Sequence, residues 1–295
     1  MKMRLLKTGV CRGAYNMAVD EALLISLQRG ESLPTLRFYG WNPPCLSVGY
    51  FQDAQKEVDF DGLSRMGFQM VRRITGGKAV LHDDEVTYSV TIPESYAPGS
   101  VLETYRHICR GIIRGLSLLG VRCEMVALER GARAPQGFAR AACFSAPSWY
   151  EVVASGRKIV GSAQARRNGV ILQHGSIPLT FSPKRVAACF KVSSEESRDK
   201  LEATLAQKAS SLSDVLGRRV EPRDVEEALR LGFERELGWE FVEDGMTRQE
   251  LLEAYRLSRE KYGTPQWNLE RGRMEEDEDA CPALNENSDV RGELH

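Results

Sequence analysis

Cys143 and Lys158 are the side chains in this 295-residue chain best suited to covalent chemistry. A thiol attacks as its thiolate, and a nearby ammonium stabilises that anion and lowers the thiol pKa. Cys143 stands in Ala142-Cys143-Phe144-Ser145-Ala146-Pro147-Ser148-Trp149-Tyr150-Glu151, between an aperiodic stretch and a strand-like run. Lys158 follows fifteen residues later, in Gly156-Arg157-Lys158-Ile159-Val160-Gly161-Ser162-Ala163-Gln164. A hairpin joining the two segments would bring thiol and ammonium within charge–charge range. Taken singly, the two residues are more simply read as a buried structural thiol and a turn lysine.

A second constellation is Arg72-Arg73-Ile74-Thr75-Gly76-Gly77-Lys78-Ala79-Val80-Leu81-His82-Asp83. Adjacent glycines let a backbone turn tightly and approach a ligand closely, because no Cβ intervenes. Their N–H groups can hold an anion or a carbonyl oxygen. The same string also fits a hairpin turn with charged flanks. Gln173-His174-Gly175-Ser176 places a second histidine beside a glycine. A neutral imidazole exchanges protons near pH 7, and a hydrogen-bonded structural histidine is the alternative for both His82 and His174. Four separated histidines and seven cysteines without a C-x-x-C pair give no metal-ligand spacing.

The string R-R-x-[TS]-G-G-[RK]-A-V-x-H-D resembles the signature loop of the lipoate-protein ligase and octanoyltransferase superfamily, which shares its fold with biotin-protein ligase catalytic domains. The resemblance covers residues 33–241 and includes Y-x-W-x-P-P followed by S-V-G-Y-F-Q. It implies an α+β domain of mixed, mostly antiparallel sheets packed with helices. It also implies a tunnel for a medium-length acyl chain, lined by Arg73, Gly76, Gly77, Lys78, His82, Gly161, Ser162, Ala163, His174 and Gly175. The strings C-F-x-x-P-S-x-Y-E and G-R-K-I-V-G-S-A-Q resemble the LipM type of octanoyltransferase found in Gram-positive bacteria. In that type the cysteine matching Cys143 carries the acyl group as a thioester, and the lysine matching Lys158 tunes the thiol and holds the carbonyl. The implied donor is octanoyl-acyl carrier protein. The implied acceptor is a lysine on a lipoyl domain such as the glycine-cleavage H protein, with no cofactor and no ATP. ATP-dependent lipoate ligases keep the lysine but need no cysteine, and their loop reads R-R-x-S-G-G-G where Lys78 stands here. A ligase, an amidotransferase between lipoyl domains and a non-catalytic acyl-binding protein are the alternatives.

The elements that must position these residues follow from periodicity. Apolar runs and alternation predict strands over 35–39, 46–49, 68–71, 86–92, 121–126, 148–154, 157–165 and 169–179. The last three form an antiparallel meander, turned at Ser155-Gly156 and Arg167-Asn168. Helical spacing predicts helices over 16–27, 60–66 and 101–119, and five more between 183 and 261. The first of these buries Met17, Leu23, Leu24 and Leu27 and is assigned no chemistry.

A catalytic domain is expected over 1–245 and a helical extension over 246–269. The tail 270–295 is acidic, poor in apolar residues and expected to be disordered. The aperiodic stretch 129–142 reads as a surface loop. Forty basic and 41 acidic residues leave a formal charge of −1, which argues against nucleic acid as a partner. No run approaches the ~18 apolar residues of a membrane span, no signal peptide is evident, and scattered cysteines fit a reducing compartment. A cytoplasmic monomer is expected.

Overall fold

A computed structural model describes residues 1–97, 99–127 and 150–270. Cys143, the stretch 129–142 and residues 271–295 of the tail lie outside the described residues. The chain opens with β1 (Lys2–Cys11), α1 (Gly13–Gln28), β2 (Thr35–Trp41) and β3 (Cys45–Val48). Short helices α2 (Ala54–Glu57) and α3 (Phe60–Arg65) lead to β4 (Gln69–Arg72), β5 (Val80–His82) and β6 (Glu85–Pro93). Then come α4 (Val101–Leu118), β7 (Glu124–Ala127), β8 (Tyr150–Ala154), β9 (Arg157–Arg167) and β10 (Val170–Pro178). The C-terminal part holds α5 (Pro183–Ala187), α6 (Glu195–Lys208), α7 (Leu212–Leu216), α8 (Pro222–Leu237), β11 (Glu240–Glu243), α9 (Arg248–Leu257) and α10 (Pro265–Leu269).

Eight strands form one sheet in the order β11-β1-β2-β6-β10-β9-β8-β7, and three form a second in the order β4-β3-β5. The large sheet is mixed: β11, β1 and β2 run parallel, and every later neighbour is antiparallel. Its two tight turns have consecutive residues at positive φ, Ser155 and Gly156 at 49° and 74°, Asn168 and Gly169 at 47° and 75°. Two left-handed residues give a hairpin whose twist matches its strands. The second turn therefore falls one residue later than the sequence pattern predicts.

Successive strand residues point to opposite faces, and here the faces differ in kind. On one face Met3, Leu5, Leu36, Phe38, Val86, Val90, Ile92, Ile171 and Ile177 pack with Ile108, Ile112 and Leu116 of α4 and with Leu229 and Phe233 of α8. The Ser100–Glu103 capping box starts α4. The two helices meet backbone to backbone: a Cβ on Gly232 would stand 2.4 Å from the Gly111 carbonyl oxygen. The opposite face carries buried Arg4, Thr35, Arg37, Glu85, Thr87, Ser89, His174 and Ser176. It is covered by α1 and by the small sheet.

The sequence pattern predicts no strand before Thr35, yet β1 pairs with both β2 and β11. Arg4 and Lys7 interrupt its apolar run. Arg4 is nonetheless buried, because Glu250 of α9 takes two of its N–H groups at 2.9 and 2.6 Å. A partner 246 positions away leaves no trace in the local pattern. The signature also differs from its reading as one loop between two strands: residues 80–82 form β5 and pair with β3. No helix among the described residues is long and apolar enough to cross a membrane.

Candidate active site

Between the polar face of the large sheet and the small sheet lies a small cavity of about 30 Å³. Gly161, Ser162 and Ala163 of β9 and His174, Gly175 and Ser176 of β10 form one wall. Trp41, Tyr39 and Met17 line it on the side of β2 and α1, and Arg73, Gly77 and His82 come from the signature. The register explains the wall: Ser162 pairs with Gly175 and Ala163 with His174. Gly175 has to be glycine, since a Cβ there would stand 2.6 Å from Ser162 Oγ and from the Tyr88 ring.

Arg73 organises the signature loop. Its Nε donates to Thr75 Oγ1 (3.1 Å), Nη1 to Ser47 O and Oγ (3.0 and 3.1 Å), and Nη2 to Gly76 O and Lys78 O (both 2.8 Å). Five donors in a fixed fork thus meet five acceptors. Gly76 and Lys78 do not line the cavity; they enter the site through these carbonyl oxygens. Gly77, at φ 88°, lies against the end of β3, so that a Cβ on Gly49 would fall 2.0 Å from the Gly77 oxygen.

The two hydroxyls on Arg73 lead to the two histidines. Thr75 Oγ1 lies 2.7 Å from His174 Nε2, and His174 Nδ1 lies 2.9 Å from Asp20 Oδ2. Ser47 Oγ lies 2.8 Å from His82 Nε2, and His82 Nδ1 lies 2.7 Å from Glu85 Oε1. A carboxylate only accepts. Each imidazole therefore donates from Nδ1, and a ring that is neutral accepts the hydroxyl's hydrogen bond at Nε2. Glu85 also accepts from Thr87 and Ser176, and Trp41, which stacks on His82 at 4.0 Å, donates Nε1–H to Thr87. Burial pushes His174 below its ordinary value, against the pull of Asp20. Burial alone would raise Asp20, but Arg37, His174 and Ser89 outweigh it and hold the carboxyl below its usual range. The result is a neutral imidazole beside an ionised aspartate. Both histidines are fixed wall groups with occupied nitrogens.

Asp20 is the residue that the sequence pattern passes over. It accepts from Arg37 (2.6 Å), Tyr39 (2.9 Å) and Ser89 (2.8 Å) as well as from His174. The usable signal was its spacing, since Met17, Asp20, Leu24 and Leu27 share one helical stripe. A carboxylate on that stripe must be buried and must find partners. Ser47, Glu85 and Thr87 carried no comparable signal.

Arg72 ties the outer edge of the small sheet to the C-terminal segment. Its guanidinium donates to the carbonyls of Gly49, Tyr50 and Gln52 on one side and of Trp267 and Asn268 on the other. Its own N–H donates to Asn268 Oδ1 at 2.7 Å, and its carbonyl accepts from Trp267 Nε1 at 2.8 Å. Residues 264–270 thereby supply the hydrogen bonds that edge strand β4 would otherwise lack.

Lys158 does not line the cavity. It lies three residues along β9 from Gly161, about 10 Å at the strand rise. Its side chain is 3% exposed, and Nζ lies 3.0 Å from Glu151 Oε1. Cys45, Cys109 and Cys189 are buried and Cys123 is partly so; burial pushes the thiol of Cys109 up to about 12, of Cys189 to about 12, of Cys123 to about 11 and of Cys45 higher still.

This fold is that of the lipoate-protein ligase catalytic domains. The lipoyl protein ligase A/B catalytic domain family matches residues 12–234, and the chain belongs to it. Among its relatives, the octanoyltransferase LipM of Kyrpidia tusciae is 51% identical over 268 residues, 90% of this chain and 97% of its own length. That of Moorella thermoacetica is 45% identical over 266 residues, covering 90% and 96%. The bipartite lipoate protein ligase of Thermoplasma acidophilum, described with its E2 lipoyl domain, matches with a TM-score of 0.78 at 29% identity, over 93% of this chain and 99% of that one. A lipoate-protein ligase A bound with ATP matches with 0.74 at 28% identity, over 91% and 99%.

Proposed function

We propose that the chain is an octanoyl-[acyl-carrier-protein]:protein N-octanoyltransferase. The observation that carries this reading is the cavity itself, walled by Gly161, Ser162, Ala163, His174 and Gly175 and running along the strand that bears buried Lys158. Relatives of the octanoyltransferase type span nine tenths of the chain, which favours transfer over ligation.

In this mechanism the Cys143 thiolate attacks the thioester carbonyl of octanoyl-acyl carrier protein. A new C–S bond forms, and the carrier's sulfur leaves and takes up a proton. The amine of a lipoyl-domain lysine, which we assign to a glycine-cleavage H protein, then attacks the same carbonyl. Cys143 sulfur leaves, the amine gives up a proton, and an amide results. The Lys158 ammonium stabilises the thiolate and the charge that develops on the carbonyl oxygen. The acyl chain lies in the cavity while Arg73 keeps Gly76, Gly77 and Lys78 closed over it. The thioester is already activated, so the cycle uses no nucleotide. We place the enzyme in the cytoplasm as a monomer, with catalysis in 1–245 and 246–269 as a supporting extension.

The test is a complete reaction with purified octanoyl-acyl carrier protein and H protein and with nucleotide removed. Amide-linked octanoate on one H-protein lysine, read by intact mass and peptide mapping, is the expected result. Strict dependence on ATP with an acyl-adenylate detected would make the chain a ligase, the activity class of the neighbour bound with ATP.

A further inference from the structure

We propose that Glu151 is a positioning residue for Lys158, holding its ammonium charged and fixing its direction. What the ammonium does rests on the octanoyltransferase reading above; how it is held rests on geometry. The Lys158 and Glu151 side chains are 3% and 16% exposed, and their charged atoms lie 3.0 Å apart. An ammonium removed from water tends to lose its proton unless an opposite charge retains it.

The local fold is built to bring this pair together. Val152 pairs with Val160 and Val153 with Lys158, so β9 carries one extra residue, Ile159, directly after the lysine. Such a bulge re-aims the side chains beside it. On the other edge of β9 the Lys158 carbonyl accepts from the Ser210 N–H at 3.0 Å, and Lys158 bridges to Ala209. The lysine main chain is therefore pinned on both sides. Glu151 is the charged partner that β8 presents to it. Ala209 and Ser210, which pack against β9 after α6, carry no charge, and Lys208 before them is exposed. Glu151 reaches the chemistry through Lys158: it keeps the amine protonated before the donor arrives and restricts its swing.

The test reads Lys158 directly. Wild type, Glu151→Gln and Glu151→Asp are pulse-labelled with acetic anhydride across pH, and labelling of the Lys158 peptide is followed by mass spectrometry alongside octanoyl transfer. Glu151→Gln keeps the size and an acceptor oxygen but removes the charge. Its Lys158 labelling midpoint should fall by one unit or more, which is roughly tenfold more neutral amine at a given pH. The alkaline limb of transfer should fall with it. Glu151→Asp should restore the midpoint toward wild type while kcat stays reduced, because the shorter arm misdirects the ammonium. An unchanged midpoint in Glu151→Gln overturns the proposal. If that variant does not fold, Glu151→Asp with wild-type kcat overturns it, because the shorter arm should misdirect the ammonium. A midpoint that falls in Glu151→Gln, in an enzyme whose wild type shows no transfer, would refute the octanoyltransferase reading and leave the ion pair intact.

Discussion

The two faces of the large sheet solve opposite problems. The face under α4 and α8 is mainly apolar, with buried Gln173 donating to the Tyr88 hydroxyl as an exception, so it needs chiefly volume and shape, and its stability comes mostly from area removed from water. The face under α1 and the small sheet buries, among others, the carboxylates of Asp20 and Glu85, the imidazoles of His82 and His174 and the guanidiniums of Arg37 and Arg73. Each of those groups costs free energy unless its hydrogen bonds are made. One chain of bonds runs from Glu85 through His82, Ser47, Arg73, Thr75 and His174 to Asp20 and Arg37. A half-satisfied network of this kind is worse than an apolar core. The polar face therefore has one arrangement, and a cavity can be kept open in it.

The largest expected effect separates the faces directly. Arg37→Met leaves Asp20 buried without its guanidinium, and removing one partner of a buried pair costs about 3–5 kcal/mol. Ile112→Leu on the apolar face keeps the volume and should cost less than about 1.5 kcal/mol. Urea unfolding of both variants checks the contrast; equal losses would mean that the polar face is no more specified than the other.

An effect of intermediate size concerns pH. The folded-state pKa of His174 lies below its ordinary 6.5. As pH falls through about 6.5 the unfolded chain takes up this proton before the folded one does, so stability is full above that value and declines below it. His174→Gln should flatten this part of the stability–pH curve. An unaltered slope between pH 7 and 5 would mean that His174 binds its proton equally well in the folded and the unfolded chain. The smallest effect is at the C-terminal strap. Trp267→Phe removes the Nε1–H donated to the Arg72 carbonyl, a loss of about 1 kcal/mol. Because the strap holds β4 and not the chemistry, KM for the donor should rise while kcat changes little; a lowered kcat with unchanged KM would contradict that.

The parts legible in the sequence were those written locally. The meander of β8, β9 and β10 was visible because alternation and two turns lie in one stretch, and the signature was visible because twelve consecutive residues carry it. The parts that were not legible depend on partners far apart in the chain. Arg4 broke the strand pattern of β1 because Glu250 neutralises it from α9. Asp20 looked like an ordinary helix carboxylate until β2, β6 and β10 surrounded it. Glu151 stands in a recognisable motif, but its pairing with Lys158 depends on a one-residue bulge that composition does not announce.

The central claim is that Cys143 carries the acyl group. Wild-type enzyme and Cys143→Ala are each mixed with octanoyl-acyl carrier protein, without ATP and without acceptor, and intact mass is recorded. One hydroxylamine-labile octanoyl group on wild type and none on Cys143→Ala is the predicted result. An acylated alanine variant would show that the nucleophile lies elsewhere and would contradict the mechanism.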